Sequence, residues 1–108
     1  MKSSMARVFF LTVAVVLSAP GEQALASSTE RGFEFASANC ARCHAIGRSG
    51  KSPLESAPPF NTLHENYPVE DLEEALAEGI VTGHPGMPEF KLDGDQVGDL
   101  ITYLKSLE

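Results

Sequence analysis

Basic residues are scarce in this chain: 8 lysines and arginines stand against 15 aspartates and glutamates in 108 residues, a formal net charge of −7. A field of that sign repels phosphate backbones and anionic headgroups, so nucleic acid and anionic membrane surfaces are poor partners. Long apolar runs are missing too. The one candidate, residues 8–19, offers about 12 apolar positions, against roughly 20 for a bilayer-spanning helix. Cysteine is limited to Cys40 and Cys43. A structural zinc site usually draws two ligand pairs, and here His44 plus a distant His64 or His84 would have to complete the set. No stretch shows the alternation of a convincing strand.

The short apolar run has a signature of its own. Lys2 and Arg7 charge its start, Val8 to Leu17 form the apolar centre, and Ala24-Leu25-Ala26 has the small residues of a cleavage site. Residues 1–26 therefore read as a cleavable secretory signal and 27–108 as one folded domain. That domain has 82 residues, with 6 basic and 14 acidic side chains and a net charge of −8. A chain of this size buries only about 60% of its unfolded surface, so a metal, disulfide or bound group becomes important to its stability.

Cys40-Ala41-Arg42-Cys43-His44 is the strongest motif. A redox-active dithiol belongs at the start of a helix, where the helix N-terminus lowers a thiol pKa. Here the residues before Cys40 look helical and those after it look like loop, the reverse order. Haem attachment uses all three fixed residues: two thiols on one turn can bond the two vinyl groups of a porphyrin, and the adjacent His44 is carried to the iron. A second axial ligand would come from methionine, and Met87 is the only one outside the signal. It lies in Gly83-His84-Pro85-Gly86-Met87-Pro88-Glu89-Phe90, a loop stiffened by two prolines. His84 and His64 stand as competing ligands, His64 in what reads as a solvated helical turn.

The remainder reads as short helices and loops. Ser28 or Thr29 caps a first helix running to about Asn39, with Gly32 inside it at a cost of about 1 kcal/mol against alanine, as expected where another helix crosses closely. Residues 45–60 are rich in Gly, Ser and Pro, and a loop that long needs a surface to lie on. Pro68 opens a further helix with Glu70, Asp71, Glu73 and Glu74 in its early turns and Leu72, Leu76 and Ile80 spaced by four; Gly79 breaks it. Asp93 and Gln96 make a capping-box pattern for a last helix, with Leu92 and Val97 as its hydrophobic staple. Val97, Leu100, Ile101 and Leu104 form its apolar face, widened by Tyr103 and Leu107. Gly32 with Phe33 or Phe35 is the natural partner of this helix.

CARCH, HPGMPEF and the closing DLITYLKSL together resemble the class I monohaem c-type cytochromes over essentially all of residues 27–108. The resemblance implies an all-α fold whose N- and C-terminal helices cross, with Gly32 meeting Tyr103 and short helices and loops wrapping one covalent haem c. It implies thioethers at Cys40 and Cys43, axial ligation by His44 and Met87, and a proline carbonyl on the proximal His. Pro58 matches that position, with Pro59 as an alternative register, and Phe60 is the apolar haem contact. The stretch between His44 and Pro58 is longer than the usual pattern. The expected function is periplasmic electron transfer, not enzymatic catalysis, with redox proteins bearing basic patches as partners. A haem subunit of one oxidoreductase complex, or an open-site enzyme or sensor with Met87 off the iron, are the alternatives.

Overall fold

The computed structural model describes residues 8–17, 26–79 and 86–108. Three α-helices carry the fold: α1 (Ser28–Asn39), α2 (Leu72–Glu78) and α3 (Gly94–Ser106), with short 3-10 helices at Phe60–Glu65 and Val69–Asp71. The architecture is all-α, with no strand among the described residues. The cap of α1 is Ser27, one residue before the expected Ser28 or Thr29. Ser27 keeps extended backbone angles, and its Oγ accepts the Glu30 N–H at 3.2 Å while Ser28 is already helical. At α3 the capping box forms as the sequence indicates: Asp93 Oδ1 accepts from the Gln96 N–H at 2.8 Å, and Gln96 Oε1 from the Asp93 N–H at 3.1 Å. Gly79 ends α2 with a left-handed φ of +73°.

The terminal helices cross at Gly32. A β-carbon there would lie 2.1 Å from the Asp99 carbonyl oxygen and 2.6 Å from Tyr103 Cβ, so the two backbones meet where no side chain intervenes. Phe33 closes over the crossing, its ring 5.6 Å from that of Tyr103. Arg31 locks the outside with a forked pair to Asp99, 2.9 and 3.0 Å, and its cation holds the Asp99 carboxyl below the usual aspartate range. Below the crossing, Val97, Leu100, Ile101, Tyr103, Leu104 and Leu107 of α3 and its C-cap are buried with Ala36 of α1, and Leu92 and Phe60 join the same cluster.

Pro68 precedes a 3-10 turn instead of starting an α-helix directly, and α2 begins only at Leu72. The turn inserts Val69, 1% exposed, into the core, while Leu72 and Leu76 pack against it from the edge. The Leu92 N–H donates to the Leu76 carbonyl at 2.9 Å, tying α2 to the approach of α3. Residues 8–17 have no regular secondary structure, and their large apolar side chains are 74–89% exposed. No helix among the described residues is long and apolar enough to cross a membrane. Lys2, Arg7, Ala24, Leu25, Ile80 and His84 lie outside the described residues.

Two glycines in helices should respond oppositely to alanine. Gly32→Ala drives a methyl into backbone and should cost about 3 kcal/mol, whereas Gly98, whose outer side is open, should gain up to about 1 kcal/mol from Gly98→Ala. Urea unfolding of the two variants measures both; equal signs would show that the crossing is not the tight contact described.

Candidate cofactor site

The end of α1 builds the site. Cys40 is its C-cap, with its N–H on the Ala36 carbonyl at 2.8 Å, and the next turn closes on Cys40: the Cys43 and His44 N–H groups both donate to its carbonyl, at 3.2 and 2.9 Å. Two thiols and one imidazole thereby share a single turn. No disulfide joins the two cysteines. Burial pushes the Cys40 thiol up to about 11, so it is a neutral S–H at physiological pH. A helix ends here where a redox dithiol would need one to begin, and nothing lowers the Cys40 pKa.

His44 is aimed by its neighbours. Its Nδ1 lies 2.8 Å from the Pro58 carbonyl oxygen, and since a carbonyl can only accept, Nδ1 carries a proton, so that in the neutral ring the lone pair is on Nε2. The contact goes to Pro58 and not to Pro59, which instead precedes the 3-10 turn of Phe60. The Phe60 ring, buried, packs 5.0 Å from the imidazole.

The long loop is pinned at several points. The Ala45 N–H donates to Ser52 Oγ at 3.0 Å, the Leu54 N–H to the Cys43 carbonyl at 3.1 Å, and the Phe60 N–H to the Ala45 carbonyl at 2.9 Å. Asn61 Nδ2 reaches the Arg48 carbonyl at 2.8 Å, and the Tyr103 phenol donates to the Ile46 carbonyl at 2.5 Å. These bonds fold residues 45–53 back on themselves, and of the loop only Leu54 and Ser56 to Pro58, with Phe60, face the site. The loop is thus half tether and half wall.

A cavity of about 700 Å³ gathers Cys40, Cys43, His44, Pro58, Phe60 and Met87 into one lining. That is within the roughly 300–1,000 Å³ of ligand and cofactor pockets. Met87 is 37% exposed. His64 is exposed on the 3-10 turn and does not line the cavity. Among the described residues Arg42 is the only lysine, arginine or carboxylate in the wall; Glu70, Asp71, Glu73 and Glu74 lie on the exposed side of the Val69–Asp71 turn and α2. The donor set fits a porphyrin iron: two thiols for covalent bonds, an imidazole with Nε2 available, a thioether, and a mainly apolar wall. Leu54 and Phe90 also line it; Phe90 enters the sequence reading only within HPGMPEF, and Leu54 is not singled out there although it is the one large apolar residue between Ile46 and Phe60.

Comparison with known proteins gives the same direction. The family model described as Cytochrome c matches residues 29–108. Cytochrome c6 of Picosynechococcus sp. is 31% identical over 100 residues, covering 87% of this chain and 86% of the relative. Cytochrome c-552 of Bradyrhizobium diazoefficiens is 26% identical over 97 residues, covering 90% and 91%. Cytochrome c6 of Gloeothece citriformis is 34% identical over 84 residues, covering 75% and 73%. No solved structure matches significantly.

A cavity of about 700 Å³ bordering the core of so small a domain has a thermodynamic consequence. The group that fills it stabilises the native state by everything it gains over the unfolded chain. Residues 27–108 produced without haem should be molten or unfolded, with weak near-UV dichroism and little amide protection. A cooperative, protected haem-free fold would be the contrary result.

Proposed function

The chain belongs to the cytochrome c family and is an electron-transfer haem protein with covalent haem c, and we propose that it serves as an exported, periplasmic carrier with His44 and Met87 as axial ligands. Residues 1–26 are the cleaved signal and 27–108 the working domain. The exposed apolar side chains of residues 8–17 support this, because such a run gains nothing from staying on a protein in water.

The observation that carries the ligand reading is the His44–Pro58 pair, set in the same cavity as Met87. Pro58 holds the Nδ1–H, which fixes the tautomer, turns Nε2 inward and raises the basicity of the ring. Phe60 packs the imidazole and excludes water from beside it. Cys40 and Cys43 anchor the porphyrin through thioethers, so orientation does not depend on ligand exchange. Bound here, haem c supplies a one-electron Fe(III)/Fe(II) couple. With Met87 on the second axial position no site stays open for a substrate, which suits a carrier whose surroundings move little on electron transfer.

Partner proteins that carry a basic patch would meet Glu70, Asp71, Glu73 and Glu74, all exposed. Glu70 is already paired with Lys105, so the steering field comes mostly from the other three. Association with the redox partner should slow by about tenfold or more from low to physiological salt; a flat dependence would exclude docking by these charges and leave the haem assignment intact.

The visible spectrum of the exported holoprotein tests the ligands. The oxidised protein should show a methionine–iron charge-transfer band and the reduced protein no CO adduct. Met87→Ala should lose the band and bind CO. Cys40→Ala with Cys43→Ala, as control, should lose covalent haem. CO binding by the wild type would favour an open-site enzyme or sensor.

A further inference from the structure

We infer that Tyr103 is a positioning residue for His44: from α3 its phenol holds the Ile46 carbonyl, and so fixes the loop that presents Pro58 against the imidazole. This rests on the reading of His44 as an iron ligand and adds a residue that no motif around the cysteines contains.

The two partners of the Nδ1–Pro58 contact are carried by different parts of the fold. His44 follows the turn at the end of α1, with its N–H on the Cys40 carbonyl at 2.9 Å, whereas Pro58 belongs to the loop 45–60. Other bonds near His44 come from that loop or its edge: Ser52 to Ala45, Leu54 to Cys43 and Phe60 to Ala45. They close the loop on itself and on the turn after Cys40, and Phe60 seats its far end in the cluster beneath α3, but none of them is a hydrogen bond from residues 45–53 to α3. The Tyr103 hydroxyl makes that bond, donating to the Ile46 carbonyl at 2.5 Å across 57 positions of sequence.

Tyr103 is itself hard to displace. Its Cβ sits against Gly32, its ring lies 5.6 Å from Phe33, and the residue is 7% exposed. A hydroxyl on so constrained a ring is a fixed point, and the Ile46 carbonyl it holds is two residues from His44. Without it the Ile46 end of the loop is held only by its packing and by the bonds to the turn after Cys40, and the Nδ1–H···O=C bond lengthens as that end shifts. A weaker bond makes the imidazole a poorer electron donor, which favours the reduced iron.

The test is Tyr103→Phe in the holoprotein, which keeps the ring against Phe33 and Gly32 and removes only the hydroxyl. The His44 Nδ1–H should exchange with solvent about tenfold faster, and the midpoint potential should rise. Arg31→Gln, which breaks the ion pair to Asp99 at the same crossing without touching Ile46, should lower stability and leave exchange and potential unchanged. Both variants are read well below their unfolding transitions. If Tyr103→Phe loses stability but leaves both readouts in place, or if Arg31→Gln moves them equally, Tyr103 is merely structural and the inference is overturned. If the Nδ1–H of the oxidised wild type shows no paramagnetic shift, His44 is not the ligand, and the positioning role falls with that assignment.

Discussion

Everything in this fold is arranged around the backbone-to-backbone contact at Gly32. With Asp99 and Tyr103 within 2.1 and 2.6 Å of where a β-carbon would stand, α1 and α3 approach closer than any side chain allows. That proximity sets the direction in which α1 ends, and its end carries Cys40, Cys43 and His44. A glycine inside a helix costs about 1 kcal/mol, and here the loss is offset by the aromatic pair and the forked Arg31–Asp99 bond that the short distance permits.

The loop between the crossing and the site is ordered largely by hydrogen bonds to main-chain atoms. The loop after His44 has few side chains able to fill a core, being rich in Gly, Ser and Pro. It is ordered instead by main-chain groups finding partners: Ser52 on Ala45, Asn61 on Arg48, Tyr103 on Ile46. Each gives a main-chain polar group of the loop a partner within the protein. Such bonds are directional, so they hold position more sharply than an equal area of apolar contact would.

This division explains what could be read from the sequence. The capping box at Asp93, the apolar face of α3, the close approach at Gly32 and the turn at Gly79 all rest on rules that span a few residues, and each is found in the structure. The six residues singled out around CARCH and Met87 share one cavity wall. What local pattern could not reveal was the tether at Ile46, the burial of Val69 through a 3-10 turn, and the doubling back of residues 45–53. Those depend on partners up to 57 positions away, chosen by tertiary geometry. The shift of the α1 cap from Ser28 or Thr29 to Ser27 is a smaller case: three hydroxyl residues in a row all satisfy the cap rule, and only the backbone angles decide.

The size of the domain takes on a different meaning in this light. Phe60 belongs both to the buried cluster beneath α3 and to the cavity wall, and Phe90 lines the cavity while packing on that cluster and on the Phe35 ring 6.5 Å away. Cys40 stands at the same boundary. Helix core and cofactor site are therefore one continuous apolar body with no polar layer between them. Filling the cavity with a large apolar group extends the core of a chain that is short of one, and the same contact lets the crossed helices resist movement of that group. Rigidity of the cavity wall and stability of a small fold are then supplied by the same residues. A substitution at Phe60 or Phe90 cannot disturb one without the other.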